Sequence, residues 1–217
     1  MKAIIFDMDG VLFDTESLGI VASQQAAAQQ EILLDKALIM NTLGLTTEGT
    51  DGVYLAVHPA LDTAKFWADY MAYLKQHVVR FGTPLKPHAM ETVRQLADMN
   101  VPRAICSSNE LDMIALYLEY AGMQGMFSVI TAGDPSVPSK PAPDMFLNTA
   151  RKLGVMPANC LAVEDSPNGL RSARAAGMIT CMIPDLVPFS DALRPYCDLV
   201  LEDLSQLPAH VGASACR

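Results

Sequence analysis

The chain of 217 residues is short of positive charge, with 15 lysines and arginines against 24 aspartates and glutamates and a net charge of −9. A nucleic-acid partner requires a basic surface, so we expect none. Long apolar runs are also lacking, and none approaches the roughly 20 residues of a membrane-spanning helix. The opening segment MKAIIFDMDG carries charge where a signal peptide is apolar, so we expect neither a signal peptide nor a membrane partner.

Cysteine is scarce and shows no pairing pattern. The five cysteines form no CxxC pair, and no two lie close enough in sequence for half a zinc site. An odd number in a chain of this length argues against a disulfide framework. We therefore expect reduced cysteines in a cytoplasmic protein. The hydrophobic fraction of 51% against 18% charged residues excludes a disordered chain.

Short apolar runs alternate with helical patterns along most of the chain. The runs begin at or near Ala3, Arg103, Phe127, Cys160, Ile179 and Leu199. Helical patterns between them have proline starts and glycine stops, as in Pro143 to Gly154. This alternation predicts an α/β fold: a three-layer α/β/α Rossmann-like core with a parallel sheet covered by helices on both faces.

Residues 15–81 break this alternation. The stretch Ser23–Gln30 favours a helix, and apolar residues recur at four-residue spacing from Phe66 to Val78. We predict a small all-helical cap over 15–81, inserted after the first strand, between the core segments 1–14 and 82–217. The tail from Pro208 is expected to be frayed.

Acidic pairs follow two of the predicted strands. Asp7 and Asp9 come directly after the first strand, and Glu164 and Asp165 follow a later one. Ligands bind at the carboxyl ends of strands in open parallel sheets, so these oxygens predict a site for a hard cation, and Mg²⁺ is its natural occupant. The alternatives are an acidic turn for the first pair and a helix cap, formed by Asp165 or Ser166, for the second.

Two further segments offer groups for an anion. Lys140 precedes a proline-opened helix, where its ammonium would meet a phosphate or relieve repulsion between the acids. The alternative is an ordinary exposed lysine, outside the core. Ser107 and Ser108 follow the second core strand, where hydroxyls and backbone N–H groups form an anion cradle. A capping serine is the alternative there.

Taken in order, these segments resemble the motifs of the haloacid dehalogenase superfamily of hydrolases. The chain has DxDGVxxD at its start, a serine after the second core strand, then KPAPDxF and EDSxxG. The resemblance covers nearly the whole chain and extends to the small helical cap. It is greatest to the subfamily of sugar-phosphate phosphatases and β-phosphoglucomutase. The stretch Thr42–Leu45 resembles that of hexitol- and deoxyhexose-phosphate phosphatases.

The resemblance implies a role for each acid. Asp7 is the nucleophile that forms an aspartyl phosphate, and Asp9 is the general acid that becomes the general base. The Asp7 carboxylate, the Asp9 backbone carbonyl and Asp165 hold Mg²⁺. Glu164 is either a metal ligand or the partner of one.

The same resemblance implies how the phosphate is held. Ser107 and the backbone of Ser108 bind phosphoryl oxygens, while Lys140 bridges Asp7 and the phosphate and stabilises charge in the transition state. Glu16 is a candidate for hydrogen-bonding substrate hydroxyls, and its alternative is an ordinary acid in the first turn of a helix.

The acid at position 9 favours phosphoester chemistry, because relatives that cleave carbon–halogen bonds or phosphonates lack it. In β-phosphoglucomutase a cap histidine stands where this chain has Gly19, and basic residues lie nearby, whereas residues 43–51 hold no lysine or arginine. We predict a Mg²⁺-dependent phosphatase for a small phosphorylated metabolite, a sugar or polyol phosphate, acting as a monomer or weak homodimer. The alternatives are a β-phosphoglucomutase-like mutase and a phosphoglycolate-type phosphatase.

Overall fold

A computed structural model describes residues 1–43 and 45–212, so Gly44 of the predicted Thr42–Leu45 signature lies outside the described residues. The chain divides into two compact units, one formed by Met1–Asp14 with Thr83–Arg217 and the other by Thr15–Gly82. The division after Gly82 falls one residue later than the predicted core boundary. We refer to these units as the core unit and the inserted unit.

The described residues form short strands and helices in alternation. The strands are β1 (Ala3–Phe6), β2 (Arg103–Cys106), β3 (Val129–Thr131), β4 (Cys160–Glu164), β5 (Ile179–Met182) and β6 (Leu199–Val200). The helices are α1 (Thr15–Ala28), α2 (Lys36–Met40), α3 (Thr47–Val57), α4 (Thr63–Phe81), α5 (Ala89–Asp98), α6 (Leu111–Tyr120), α7 (Asp144–Leu153), α8 (Pro167–Ala175) and α9 (Leu207–Gly212).

The core unit is built on one parallel sheet with the described strand order β3-β2-β1-β4-β5-β6. Every residue of β1 and β4 is buried, as expected for central strands covered on both faces. The predicted α/β fold is therefore confirmed. Strand β3 begins two residues later than the apolar run at Phe127, whose ring packs edge to face against Phe6 with ring centres 6.2 Å apart.

Helix ends in the core unit follow the sequence signals closely. Gly154 ends α7 with a φ of 68°, a left-handed conformation that glycine adopts without strain. The frayed tail predicted from Pro208 is wrong as far as residue 212, because α9 forms there. It buries Leu207 and Val211, which lie one helical turn apart. Residues 213–217 of that tail lie outside the described residues.

The regular secondary structure in the described part of the inserted unit consists of the helices α1 to α4. Its core includes Tyr54 and Phe66, which are buried and meet edge to face with ring centres 5.5 Å apart. Trp67 packs against Phe66 at 5.0 Å and donates its indole N–H to Asp51 Oδ1 at 2.8 Å. Phe66 and Trp67 of α4 therefore serve packing within this unit.

The cysteines and the helices bear on two expectations from composition. Cys106, Cys160, Cys181 and Cys197 are free thiols, and Cys216 lies outside the described residues. Burial raises the pKa of Cys106 to about 11 and that of Cys181 to about 12, so both stay protonated at neutral pH. Across the described ranges, none of the helices has the length and apolar character that a membrane crossing requires.

Candidate active site

Lys140 lies at the centre of a buried ion-pair network in the core unit. Its Nζ donates to Asp7 Oδ1 at 2.5 Å, to Glu164 Oε1 at 2.6 Å and to the Cys106 carbonyl oxygen at 3.0 Å. Its side chain is only 8% exposed, and the ammonium lies 5.0 Å from the Phe146 ring centre. The alternative of an exposed lysine outside the core is therefore wrong. Two carboxylates compensate the buried charge.

Three carboxylates converge beside this lysine. Strands β1 and β4 pair in parallel, with Phe6 opposite Val163, so the residues that follow leave the sheet side by side. Each of Asp7, Glu164 and Asp165 offers an oxygen within 4.8 Å of the others, and all three are buried. Oxygen ligands at this spacing suit a hard divalent cation.

The pKa of Asp7 is raised, mainly by burial. Burial raises it well above 3.8, Lys140 opposes this rise, and the neighbouring carboxylates of Glu164 and Asp9 add to it. Burial alone would lower the pKa of Lys140, but Asp7 and Glu164 outweigh it and raise that pKa. Without a metal, the cluster therefore favours uptake of positive charge, whether a proton or a cation.

Glu164 has protein donors at both carboxylate oxygens. Its Oε1 accepts from Lys140, and its Oε2 accepts from Ser166 Oγ at 3.0 Å. Ser166 Oγ in turn accepts from the Gly169 N–H at 3.0 Å and caps α8. The helix-cap alternative is thus realised by Ser166 within the same cluster. The assignment of Glu164 as a ligand or as the partner of one stays a prediction.

Gly169 makes this arrangement possible. A Cβ on Gly169 would lie 1.9 Å from the Glu164 carboxyl carbon, inside any allowed contact distance. Helix α8 therefore approaches the carboxylate through its bare backbone. The glycine of EDSxxG could have been found from sequence, since it stands three residues after the helix cap.

Asp9 faces different partners from those of Asp7. Its Oδ2 accepts from Asn109 Nδ2 at 2.6 Å and lies 3.4 Å from Ser107 Oγ. The buried Ser107 hydroxyl also accepts from the Asn109 N–H at 3.1 Å, a local bond that precedes Glu110, the N-cap of α6, so Ser107 does not cap that helix. Ser108 is exposed. Phosphate binding by both serines stays a prediction.

Asn109 and Glu16 are two further residues to compare with the sites predicted from sequence. Asn109 was not among the predicted site residues, although it directly follows the two serines in sequence. Glu16 lies in the first turn of α1, the position that its alternative role requires, and it is half-buried. A hydrogen bond from substrate hydroxyls to Glu16 stays a prediction.

The core unit thus combines a parallel α/β sheet, acids at the ends of two adjacent central strands and a buried lysine between those acids. The model of the haloacid dehalogenase-like hydrolase family matches residues 1–177. The chain belongs to the haloacid dehalogenase-like hydrolase family.

Relatives cover nearly the whole chain. Over an alignment of 236 positions, this chain is 30% identical to Protein CbbY, plasmid, from Cupriavidus necator. The alignment covers 100% of this chain and 92% of that protein. Hexitol phosphatase B from Escherichia coli is 28% identical over 209 residues, 95% of this chain and 94% of its own. The crystal structure of a HAD family hydrolase from Deinococcus radiodurans, with bound phosphate and sodium, is 26% identical with a TM-score of 0.80, covering 99% of this chain and 96% of that one.

Proposed function

We propose that the protein is a Mg²⁺-dependent phosphatase that hydrolyses a small phosphorylated metabolite, a sugar or polyol phosphate, through an aspartyl phosphate on Asp7. The enzyme is a phosphoric monoester hydrolase. The observation that carries the proposal is the pairing of Asp7 with buried Lys140, beside further carboxylates and two residues before a second acid, Asp9.

Asp7 has the surroundings of a nucleophile. Its carboxylate is buried and therefore poorly hydrated, and Lys140 fixes one of its oxygens. In the first step an Asp7 oxygen bonds to phosphorus and the phosphorus–oxygen ester bond breaks. The ammonium of Lys140 lies where it would stabilise the charge on the transferring phosphoryl group.

Asp9 would supply and take back the proton. The leaving alkoxide receives a proton from Asp9, and a water then attacks phosphorus while giving its proton to Asp9. Breaking the acyl phosphate bond releases inorganic phosphate and restores the Asp7 carboxylate. Asn109 and Ser107 hold the Asp9 carboxylate with neutral donors, so it keeps partners other than the Lys140 network.

The donor set fits Mg²⁺. Asp7 and Asp165 would hold the cation, with Glu164 either joining them or fixing Lys140. When bound, Mg²⁺ neutralises charge on the phosphate and on the acid cluster. The excess of buried carboxylates over lysines in the site supports this requirement.

A phosphatase is favoured over a mutase by the inserted unit. A side chain at Gly19, where the mutase has its histidine, would meet the Tyr70 hydroxyl at 2.9 Å. The phosphatase name of the Escherichia coli relative supports a hexitol-like or other sugar phosphate as substrate. The free cysteines support a reducing compartment such as the cytoplasm.

The test is a screen of phosphorylated metabolites by release of inorganic phosphate. Sugar phosphates, polyol phosphates, phosphoglycolate and nucleoside monophosphates are each assayed with Mg²⁺ and with excess chelator. We expect release from a sugar or polyol phosphate with Mg²⁺, loss of release in chelator, and inhibition by Ca²⁺ because of its looser geometry. Full activity in chelator would reject the metal requirement, and best turnover of phosphoglycolate would reject the substrate class.

A further inference from the structure

A second ion pair of the core unit lies outside all four motifs of the sequence. Asp185 follows β5, the strand next to β4, and Lys86 Nζ donates to Asp185 Oδ1 at 2.5 Å. The Lys86 and Asp185 side chains are 18% and 8% exposed. The Lys86 backbone N–H donates to the Leu12 carbonyl oxygen at 2.9 Å, which ties this lysine to the loop after β1. The pair is therefore anchored at the same edge of the sheet as the candidate active site.

The second oxygen of Asp185 is buried and lacks a hydrogen-bond partner among the described residues. A carboxylate oxygen in that state costs free energy, so a donor is expected to reach it. A Cβ on Gly10 would lie 3.2 Å from Asp185 Oδ2 and 2.3 Å from Asp165 Oδ2. Both oxygens thus border the same small space, which the missing side chain of Gly10 leaves open.

We propose that Asp185 is a positioning residue for the divalent cation, accepting at Oδ2 a hydrogen bond from a water of the cation's hydration shell. This inference rests on the proposed function, in which Asp165 holds the cation. Mg²⁺ bound by few carboxylates keeps several waters, and those waters need acceptors around them. Asp185 is not a member of the close carboxylate cluster, so contact through water fits its place better than direct ligation.

Lys86 has a separate part in this arrangement. The ion pair with Lys86 holds Oδ1 of Asp185 and so limits rotation of that carboxylate. Oδ2 therefore stays at the space that Asp165 Oδ2 also borders. Lys86 also compensates the charge of Asp185, which lessens repulsion between the two carboxylates. The pair therefore presents one fixed acceptor without adding a net negative charge to the site.

The test uses Mn²⁺ alone as the probe, with free Mn²⁺ measured by electron paramagnetic resonance. Asp185→Asn should bind Mn²⁺ about 10- to 100-fold more weakly than the wild-type protein, the usual effect of removing an outer partner of a metal site. The Mg²⁺ concentration for half-maximal phosphate release should rise in parallel, while kcat at saturating Mg²⁺ and KM stay near wild type. The matched control is Asp69→Asn, which breaks the Lys65–Asp69 surface pair and should leave Mn²⁺ affinity unchanged.

A second variant covers the case in which Asp185→Asn does not fold, as judged by circular dichroism. The double variant Lys86→Gln/Asp185→Asn removes both charges of the pair, so no lysine is left without its partner, and it should also weaken Mn²⁺ binding by about 10- to 100-fold. Wild-type Mn²⁺ affinity in a folded Asp185→Asn protein, or in the folded double variant if the single variant is unfolded, would overturn the inference alone. A wild-type protein that binds no Mn²⁺ would overturn the proposed metal site as well.

Discussion

The two units bury different kinds of side chain. Among the described residues of the inserted unit the buried side chains are all uncharged, with Tyr54 and Phe66 in edge-to-face contact, and the Lys65–Asp69 pair is partly exposed. In the core unit Lys140 and its carboxylate partners are buried together. Aromatic contacts stabilise a fold, whereas buried charges cost desolvation free energy. The core unit thus carries a cost that packing does not explain, and residues that bear such a cost are candidates for chemistry.

Lys140→Ala should give the largest effect. It removes the only lysine partner described for Asp7 and Glu164, so the rate with para-nitrophenyl phosphate and Mg²⁺ should fall by about 10²-fold or more. The free energy of unfolding of the metal-free protein should fall by about 3–5 kcal/mol, because two buried carboxylates lose their compensation. Urea denaturation in chelator measures the second quantity.

The control for that comparison is Lys65→Ala in the inserted unit. The Lys65 side chain is half exposed, so its loss should change the free energy of unfolding by no more than about 0.5 kcal/mol and leave the rate unchanged. Equal effects of the two substitutions would remove the distinction between the units.

Two helical glycines sharpen the same comparison. In Gly169→Ala the new methyl group collides with the Glu164 carboxylate, so the free energy of unfolding should fall by about 1–3 kcal/mol and activity should fall with it. In Gly52→Ala, within α3, no heavy atom of the described residues beyond the adjoining helix backbone lies within 4 Å of the new methyl group. That substitution should stabilise the inserted unit by about 0.5–1 kcal/mol through helix propensity. Thermal melts measure the stability of both variants. Destabilisation by Gly52→Ala together with tolerance of Gly169→Ala would contradict this prediction.

A smaller effect is expected from Asp7→Asn without metal. Because the pKa of Asp7 is raised in the folded protein, its ionisation destabilises that state as the pH rises from 3.8 through the raised value. The variant should therefore melt at least about 2 °C above wild type near pH 8 in chelator, and the gain should vanish towards pH 3.8. Excess Mg²⁺ should reverse the order, since wild type alone keeps the ligand. A lower melting temperature for the variant in chelator at pH 8 would contradict this.

The parts of the fold that follow local patterns could be predicted from sequence. The apolar runs at Ala3–Phe6 and Cys160 lie in central strands because burial on both faces requires continuous apolar residues. The acids after those strands converge because parallel neighbours end at the same edge of the sheet. Glycine and proline marked the ends of α7 for steric reasons.

The parts that depend on contacts distant in sequence could not be predicted. The Lys86–Asp185 pair joins residues 99 positions apart, and neither has a motif around it. The burial of Lys140 follows from carboxylates on two other segments, so its own sequence resembles that of a surface lysine. Helix α9 forms where Leu207 and Val211 are buried, and that burial depends on the rest of the core unit.

The central claim is that Asp7 takes the phosphoryl group and Asp9 moves the proton. Asp9→Asn with para-nitrophenyl phosphate should give a burst of about one nitrophenolate per site and then slow turnover, since this leaving group needs no protonation but hydrolysis of the intermediate needs Asp9. Intact-mass measurement of the quenched proteins is the most direct test. The account predicts one added phosphoryl group on Asp9→Asn and none on Asp7→Asn, and a phosphoryl adduct on Asp7→Asn would contradict it.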